Sequence, residues 1–407
     1  MTLAQQLVTA VGAEHVEALD ERTWRVVPGS AAEVAEVIRR AGEHKTAIHP
    51  IGAGGRLPRF EAPRDRVLIT TKRLDQVLQL DEMSLLIHAQ AGLTGLDLER
   101  ILGPRNLSIG DYSPGVLTSS LGGIVAVRTP GKSSARHGFF EDAVVGVSAV
   151  LADGRTVHTR VAPRRSTGPD LSRALCGSEG TIGFITSVVM RIHQKPEARL
   201  VAAYVLPSVD AAVSAVYLAL REEAAPSGLR IYDAAEAAVH FEGLELPNGH
   251  ALLCAGTAGP TDLATCDRDL ITSAVNAEGG TRTDDELADL WWRRLHAGEP
   301  TPGPVPSLQV MATPGKLRAV YHAVLTQTGG AGVRAHISRF DANGAVLFFT
   351  IHTGGQTNDT AVIAAERIAQ RAGGWLLGAR AVKLDAYLVA LREALDPEHI
   401  MNPGTLA

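Results

Sequence analysis

Apolar positions repeat at helical spacing in one early segment and alternate in the segments that follow it. In residues 30–45, Val34, Val37 and Ile38 fall on one helical face, and Ser30 stands where an N-cap residue is expected. The next residues, TAIHPIGAGG, indicate a strand that runs into a glycine loop. The alternation then continues, which predicts a βαβ-like order through VLITT, VLQLDE, LLIHAQAG and the helix GLDLERIL.

Two further patterns complete the first half of the chain. Residues 101–123 are rich in loop-forming residues and end in LGG, so we expect little regular structure there. The run AVVGVSAVLADGRTVHTR contains Asp153-Gly154, a dipeptide typical of hairpin turns. We therefore predict a β-hairpin with its turn at these two residues.

The pattern changes after about residue 197, and the segment QKPEA marks the expected junction. Residues 199–239 follow the order strand, helix, strand, helix, and residues 249–283 repeat that order. This alternation predicts an α+β layer with helices on one face of a sheet. The chain then ends in a helix followed by a proline-punctuated tail.

Composition and charge narrow the class of protein. A length of 407 residues suggests two domains or one large one, and 45% apolar residues with a net charge of −5 are typical of a soluble globular protein. The mild acidity argues against nucleic acid as a partner. The sequence has no apolar run long enough to cross a bilayer, and the first residues lack a basic n-region, so we expect a cytoplasmic protein without a signal peptide or membrane span.

Cysteine and histidine give no sign of a metal or disulfide site. The three cysteines, Cys176, Cys254 and Cys266, form no CxxC pair, which favours a reducing compartment. The histidines are scattered without an HExxH motif, so we expect no metal. The motif GxSxG of hydrolases is also missing. The pair Trp291-Trp292 lies in a helical segment, where core packing is favoured over substrate stacking.

The glycine loop PIGAGG, residues 50–55, follows a strand as a dinucleotide-binding loop does. It does not fit the Rossmann fingerprint, because the third glycine would fall at Leu57 and Pro58 obstructs a helix there. Such a loop can present backbone N–H groups to a phosphate, or it can be a plain turn. Its residues alone leave both interpretations open.

Two other segments suggest a ligand. SSLGGIVAVRTPG places Arg128 among apolar residues, where an arginine needs a ligand or an ion-pair partner. GSEGTIG, residues 177–183, follows PRRSTGPD, residues 163–170, and carries three glycines within seven residues. That density suits a backbone that lies against a flat ligand, although a structural turn is the alternative.

Taken together and in order, these motifs resemble a known family. PIGAGG, AGLTGLDLERIL, SSLGG, HGFFEDAVVGVSAVLADG, PRRSTGPD, GSEGTIGFIT and LDPEHIMNPG resemble the FAD-linked oxidases of the vanillyl-alcohol oxidase / p-cresol methylhydroxylase superfamily. Within it, RSTGPD and VRTPG…HGFFED look most like the alkyldihydroxyacetonephosphate synthases. D-lactate dehydrogenases and glycolate oxidase subunits are more distant relatives.

The resemblance implies a fold class and a division of the chain. We expect an α+β protein whose residues 1–196 form a two-subdomain FAD-binding domain of the PCMH type. Residues 197–375 would form a cap domain with an antiparallel sheet and helices. Residues 376–407 would return to the FAD-binding domain.

The resemblance also implies the FAD site. No histidine follows the glycines of the loop, and His49 precedes them, so we expect FAD to be held without a covalent bond. The residues expected to contact it are Ile51, Gly52, Ala53, Gly54, Gly55, Arg56, Leu57, Pro114, Ser119, Ser120, Gly122, Gly123, Arg128, Thr129, Glu179, Gly180, Gly183 and Ile185.

For catalysis, the resemblance implies Arg128 beside the reactive part of the flavin and Arg230 facing the substrate. Guanidinium groups suit an anionic substrate. The family's tyrosine falls at Phe340 here, and the segment GGWLLGARAVKLD lacks the family's histidines. Another acid or base is therefore needed, and we expect it among His336 and Asp341, with Tyr232 and His352 as further candidates.

Three functions follow from this altered site. The first is an FAD-dependent oxidoreductase acting on a small, anionic substrate. The second is a non-redox flavoenzyme like the synthases, and the third is a catalytically degenerate FAD-binding subunit. A homodimer or a partner subunit stays open.

Overall fold

The computed structural model describes residues 1–54, 64–128, 131, 134–161, 170–297, 307–328, 332–352, 359–377 and 386–405, with the side chains of 134, 295–297, 352 and 359 outside the description. The strands are β1 (Val16–Asp20), β2 (Thr23–Val26), β3 (Ala47–Ile51), β4 (Arg66–Thr70), β5 (Val77–Asp81), β6 (Leu86–Gln90), β7 (Leu107–Ser108), β8 (Val144–Leu151), β9 (Thr156–His158), β10 (Gly183–Arg191), β11 (His193–Gln194), β12 (Ala198–Leu206), β13 (Gly228–Asp233), β14 (Ala251–Gly259), β15 (Thr281–Arg282), β16 (Ser307–Ala312), β17 (Gly332–Asp341), β18 (Gly344–His352) and β19 (Trp375–Leu376).

The α-helices alternate with these strands, and two short 3-10 helices cover Ala13–His15 and Gly103–Arg105. The α-helices are α1 (Leu3–Val11), α2 (Ala31–Glu43), α3 (Gly95–Leu102), α4 (Pro114–Leu117), α5 (Leu121–Ala126), α6 (Ser134–His137), α7 (Phe140–Ala143), α8 (Leu171–Leu175), α9 (Val209–Arg221), α10 (Ala234–His240), α11 (Thr261–Ala277), α12 (Asp285–Ala297), α13 (Pro314–Gln327), α14 (Asp359–Arg371) and α15 (Ala386–Leu395).

The chain divides into two compact units. Unit 1 contains residues 1–131, 138–194 and 383–407, and unit 2 contains residues 132–137 and 195–382. The short stretch 132–137, which the sequence analysis placed in the first domain, thus belongs to unit 2. Among the described residues, no helix has the length and apolar character needed to span a membrane.

Unit 1 begins with a four-stranded sheet in the order β1-β2-β4-β3, in which β2, β4 and β3 are parallel. Helix α2 packs on this sheet through Val34, Val37 and Ile38, all fully buried. Ser30 Oγ accepts a hydrogen bond from the backbone N–H of Glu33 at 3.1 Å. The predicted helix, its cap and its buried face are confirmed.

A second sheet of unit 1 has the order β5-β6-β10-β8-β9 and is antiparallel throughout. The βαβ-like order that we predicted therefore ends at β4, because β5 and β6 pair as neighbours in an antiparallel sheet. The hairpin of β8 and β9 is confirmed, and Gly154 adopts a φ of +82° at its turn. Only a residue without a side chain takes such a φ readily.

The segment 101–123 is more regular than we predicted. It contains β7 and α4, and its LGG end forms the first turn of α5. Leu121, Ile124 and Val125 of α5 are buried in the core below the second sheet, which explains why this glycine-rich segment is helical. Tertiary burial outweighs the low helix propensity of glycine here.

The end of the chain lies in unit 1 against β3. Met401 forms a parallel bridge with Ile48, and the backbone N–H of Asn402 donates to the Ile48 carbonyl at 2.7 Å. Asp396 is fully buried and accepts hydrogen bonds from the N–H groups of Ile400 and Met401. This carboxylate fixes the turn that brings the C-terminal residues to the end of β3.

Unit 2 is built on an eight-stranded antiparallel sheet in the order β15-β12-β14-β13-β17-β18-β16-β19. Helices α9, α11, α13 and α14 cover one face, and α10 and α12 lie on the other. Trp291 of α12 is 2% exposed in the core of that second face, as the packing interpretation predicted. The prediction of helices on a single face is wrong. Every residue of the central strand β14 is buried, so both faces of the sheet are covered there.

Candidate functional site

The glycine loop after β3 lies directly against the start of α5. A Cβ atom on Gly52 would stand 2.2 Å from Ser120 Oγ, so a larger residue would force the Ser120 side chain or the backbone to shift. Gly54 has a φ of +83°, in the left-handed region that glycine tolerates. Ile51, Gly52, Ala53 and Gly54 therefore form a bend whose backbone is close to Ser120.

Ser120 is buried and caps α5, where its Oγ accepts a hydrogen bond from the Gly123 N–H at 3.3 Å. Gly122 approaches the strand end at Ala91 so closely that a Cβ atom would lie 2.9 Å from the Ala91 Cβ. Ser119 precedes the cap and donates its hydroxyl to the Gly115 carbonyl. Gly122 thus lets the start of α5 lie against Ala91, while Gly52 lets the loop after β3 lie against Ser120.

The segment Gly177–Gly183 completes this convergence. Gly177, Glu179 and Gly180 have φ values of +79°, +49° and +78°, which bend the backbone sharply before β10. A Cβ atom on Gly180 would stand 2.8 Å from Pro50 Cγ, just before the glycine loop. Three segments that are distant in the sequence therefore meet at the end of β3.

The C-terminal residues hold two of these segments together. Asn402 Nδ2 donates to the Glu179 carbonyl at 2.6 Å, and Asn402 Oδ1 lies 2.9 Å from His49 Nδ1. Because the Asn402 oxygen accepts, His49 carries its proton on Nδ1. Burial lowers the pKa of His49, and the hydrogen bond to Asn402 only partly opposes that shift.

Two buried hydroxyl groups near this convergence have no hydrogen-bond partner within the described part of the chain. Thr70 Oγ1 lies at the end of β4, beside Ile51, and Ser178 Oγ lies in the bend before β10. A buried hydroxyl without a partner is costly, so polar groups of a ligand would satisfy it. The narrow backbone cradle and these hydroxyls fit a ligand with phosphate and hydroxyl groups, such as FAD.

Arg128 is placed differently from our expectation. We expected Arg128 to lie among apolar residues, but the residue is exposed and stands just beyond the end of α5 with a φ of +50°. Its Nε donates to the Cys176 carbonyl at 2.9 Å, and its Nη2 donates to the Arg173 carbonyl at 3.3 Å. The guanidinium thus ties α5 to the backbone that leads into Gly177.

The remaining FAD-site candidates are spread along unit 1. Pro114 opens α4 and is exposed, while Gly183 and Ile185 begin β10, with Ile185 in the core of the second sheet. Gly55, Arg56, Leu57 and Thr129 lie outside the described residues, as does the segment 163–169.

Unit 2 contains a buried polar cluster on the face of its sheet that carries α10. Its centre is Glu236 of α10, whose side chain is 3% exposed. His336 Nδ1 and His240 Nε2 both lie 3.0 Å from Glu236 Oε1. Arg334 Nε lies 2.6 Å from the other oxygen, Oε2. The Glu236 carboxylate therefore contacts three basic side chains.

The protonation of the cluster follows from these contacts. Burial opposes ionisation of Glu236, but the hydrogen bonds from His240 and His336 hold its pKa below the usual value. Burial lowers the pKa of His336 to about 4, against the opposing effect of Glu236. At neutral pH the cluster therefore holds a carboxylate beside a neutral imidazole.

Arg230 lies beside His336 on the same face of the sheet. It donates to the Tyr232 hydroxyl at 3.3 Å, and Tyr232 pairs with His336 across β13 and β17. Phe348 stacks on the His336 ring with 4.6 Å between the ring centroids. The Arg339 guanidinium lies over the Phe348 ring. Burial and the neighbouring Arg230 lower the pKa of Arg339 to about 10.

Asp341 and Phe340 have other surroundings. Asp341 Oδ1 accepts the backbone N–H groups of Asn343 and Gly344, which stabilises the turn between β17 and β18. Phe340 is 1% exposed in the core that faces the four helices, away from His336. Of the four catalytic candidates, the structure thus brings Arg230 and His336 together.

The sequence analysis missed Glu236, His240 and Arg334. One signal was available, because Glu236 and His240 stand four residues apart in the otherwise apolar stretch DAAEAAVH. Side chains at that spacing lie on one face of a helix. The approach of Arg334 and His336 from β17 depends on sheet pairing, which the local sequence does not reveal.

Comparisons with known proteins agree with the motifs. Residues 24–160 match a family model described as "FAD binding domain", and residues 195–308 match one described as "FAD linked oxidases, C-terminal domain". Alkyldihydroxyacetonephosphate synthase of Caenorhabditis elegans is 32% identical over 213 residues, which cover 51% of this chain and 36% of that protein. The uncharacterized FAD-linked oxidoreductase YgcU of Escherichia coli O157:H7 is 28% identical over 274 residues, 66% of this chain and 56% of that protein.

These matches thus span from about a third to just over half of the relatives' own length. Among solved structures, p-cresol methylhydroxylase with substrate bound superposes with a TM-score of 0.74 at 16% identity, over 99% of this chain and 95% of that one. At that identity the likeness concerns the fold. It confirms the predicted class, a PCMH-type domain followed by a domain with an antiparallel sheet.

Proposed function

We propose that this chain, whose residues 24–160 and 195–308 match models of an FAD binding domain and of the C-terminal domain of FAD linked oxidases, is an FAD-dependent oxidoreductase that oxidises a small anionic substrate. FAD is its cofactor. The observation that carries the finer proposal is the polar cluster of unit 2, where Arg230 offers a cation and His336 offers a base next to each other. In this proposal, the cation binds the anionic group of an alcohol and the base accepts its hydroxyl proton.

The cofactor would be held by the three converging segments of unit 1. Backbone N–H groups of the glycine loop suit the pyrophosphate, since such amides bind anions in tight bends. In Ser119–Gly123, the N–H groups of Ser119, Leu121, Gly122 and Gly123 already donate to protein oxygens, so this segment would shape the site. Ser178 and Thr70 offer hydroxyls that lack partners among the described residues. Bound FAD supplies a two-electron acceptor for the hydride that leaves the substrate carbon.

The side chains of unit 2 would bind the substrate and move its proton. The Arg230 guanidinium suits a carboxylate or another planar anion. His336 is neutral at neutral pH, so it can accept the hydroxyl proton of an alcohol while the carbon is oxidised. Phe348 and Tyr232 flank the two residues and limit the access of water.

An anaerobic substrate screen tests this function. Small hydroxycarboxylates and their uncharged alcohol or ester analogues would be mixed with the holoprotein, and oxidised flavin absorbance would be followed. We expect at least one anionic compound to bleach the flavin and its uncharged analogue to bleach it far more slowly. Equal rates for each pair would contradict an anionic substrate, and no bleaching across the panel would contradict the oxidoreductase.

A second function is supported by the similarity to alkyldihydroxyacetonephosphate synthase. A reaction of that kind would form product without net reduction of the flavin. In the same anaerobic screen, product formation with the flavin left oxidised at the end would favour this alternative. Sustained bleaching would exclude it.

A further inference from the structure

Glu236 is held in place by its own helix and by the neighbouring strand. Asp233, the N-cap of α10, accepts the Glu236 N–H at 2.7 Å with Oδ1 and the Ala335 N–H at 2.7 Å with Oδ2. Ala335 lies between Arg334 and His336 on β17. The first turn of α10 is therefore fixed to the strand that carries two partners of Glu236.

The carboxylate of Glu236 is ionised and its charge is balanced. A buried carboxylate needs an opposite charge and hydrogen-bond donors to remain ionised. Arg334 Nε at 2.6 Å supplies the charge, and His240 and His336 supply donors to Oε1. Glu236 is thus a fixed negative charge directly beside His336.

The contact to Glu236 determines which nitrogen of His336 carries the proton. An ionised carboxylate only accepts hydrogen bonds, so the neutral ring must place its hydrogen on Nδ1. The lone pair is then on Nε2, at the opposite end of the ring. Phe348 stacks on the ring with 11° between the planes, which limits its rotation.

The other charged groups around His336 are mainly basic. Arg230 disfavours a proton on the ring, and His240 also acts against it, whereas Glu236 is the group that favours it. A base that takes a proton becomes an imidazolium, which an adjacent carboxylate stabilises. The ionisable groups of the surrounding elements are Arg230, Tyr232 and Asp233 of β13, Glu236 and His240 of α10, Arg334, Arg339 and Asp341 of β17, and Arg136 and His137 of α6, which packs against β13 and β17. Burial raises the pKa of Asp233 to about 6.

We propose that Glu236 is the positioning residue for His336, which it fixes in the Nδ1–H tautomer with Nε2 ready to take the substrate's hydroxyl proton. This inference rests on the proposed function. In the step, the substrate O–H bond breaks and its proton forms the Nε2–H bond. The carbon–oxygen double bond forms as the C–H bond breaks, and the electron pair of the C–H bond would leave as hydride, for which bound FAD would be the acceptor. Glu236 stays ionised and stabilises the imidazolium.

The first test measures the tautomer in the wild-type holoprotein without any substrate. Protein labelled with [15N]histidine would be studied by long-range 1H–15N NMR, and the His336 signals would be assigned with His336→Gln. We expect a proton on Nδ1 and a lone pair on Nε2 near pH 7. A proton on Nε2 would overturn the proposal, and the tautomer itself is measured on the wild-type protein.

The second test uses Glu236→Gln, which keeps the size of the side chain and removes its charge. With the substrate that the screen identifies, we expect kcat to fall by about tenfold to a hundredfold, with KM within about twofold. Because Glu236 raises the pKa of His336, its loss should move the acid limb of the kcat profile to lower pH. An unchanged kcat and acid limb would overturn the proposal, as would a change in KM alone.

The matched control is Asp210→Asn, which removes the carboxylate beside His322. His322 Nε2 lies 2.9 Å from Asp210 Oδ1, but both side chains are exposed on the surface of unit 2. We expect kcat and its pH profile to be unchanged. If the screen yields no substrate, the proposed function fails, while the NMR measurement still decides the role of Glu236.

Discussion

At the scale of single residues, Gly180 illustrates how a backbone contact shapes the FAD site. Its φ of +78° and its approach to Pro50 leave no room for a side chain. We expect Gly180→Ala to reduce FAD content strongly, because a Cβ atom 2.8 Å from Pro50 Cγ must displace the loop after β3. The ratio of flavin to protein absorbance in purified protein measures this effect.

Gly279→Ala is the control for that substitution. Gly279 has a similar φ of +75°, but a Cβ atom there would meet nothing within 4 Å. It carries the same backbone strain, roughly 1 kcal/mol, without the clash. Full FAD content in both variants would contradict the placement of Gly180 in the FAD site.

Arg230 gives a second prediction at this scale. We expect Arg230→Ala to raise the KM of the anionic substrate by about tenfold to a hundredfold, since a charge-assisted hydrogen bond contributes about 1.5–3 kcal/mol. The FAD content should not change. Steady-state kinetics measure the effect, and Arg282→Ala, which removes an exposed ion pair with Asp285, is the control. Equal KM values in Arg230→Ala and wild type would remove Arg230 from the substrate site.

The sequence predicted single residues well where one local rule decides. Ser30 caps its helix, and Gly154 turns its hairpin, because each depends on neighbouring residues only. It did not predict the surroundings of Arg128, since the Cys176 carbonyl lies 48 residues away in the sequence. The cluster around Glu236 was not predicted for the same reason, since two of the partners of Glu236 come from β17, which is distant in the sequence.

At the scale of elements, the C-terminal segment connects two of the segments that form the proposed FAD site. Asn402 bonds both His49 of β3 and the Glu179 carbonyl. We expect Asn402→Ala to weaken FAD binding by about tenfold, because two buried hydrogen bonds that hold neighbouring loops are lost. Titration of the apoprotein with FAD, followed by flavin fluorescence, measures the dissociation constant.

Asn106→Ala is the matched control. Asn402 and Asn106 both have a left-handed backbone, with a φ of +58° at Asn106, but Asn106 lies exposed in unit 1. It separates the strain of a left-handed alanine from the loss of the two contacts. The same FAD affinity in Asn402→Ala and Asn106→Ala would contradict the role of the C-terminal segment.

The elements themselves were predictable where the apolar period was clear. Helix α2 and the β8–β9 hairpin are found as predicted. The helices on the second face of the unit 2 sheet were missed, although β14 reads ALLCAGTAG and is buried along its whole length. A strand with no polar alternation indicates cover on both faces, and that signal predicts α10 and α12 in retrospect.

At the scale of the whole molecule, the order of the motifs carried more information than any one of them. Each glycine segment alone could be a turn, yet together they indicated an FAD-linked oxidase, and the match of residues 24–160 to an FAD binding domain includes PIGAGG and SSLGG. The chemistry depends on pairings between distant segments in unit 2. The substrate therefore has to be found by experiment, with Arg230 and His336 as its guide.

The visible spectrum of the purified protein, taken before and after acid precipitation, tests most directly whether the protein binds FAD without a covalent bond. We predict the absorbance bands of oxidised flavin before precipitation and their recovery in the supernatant afterwards, because we propose that FAD is held without a covalent bond. A protein that lost FAD during purification should regain the bands when FAD is added. A colourless protein that added FAD does not reconstitute, or a yellow pellet after precipitation, would contradict the account.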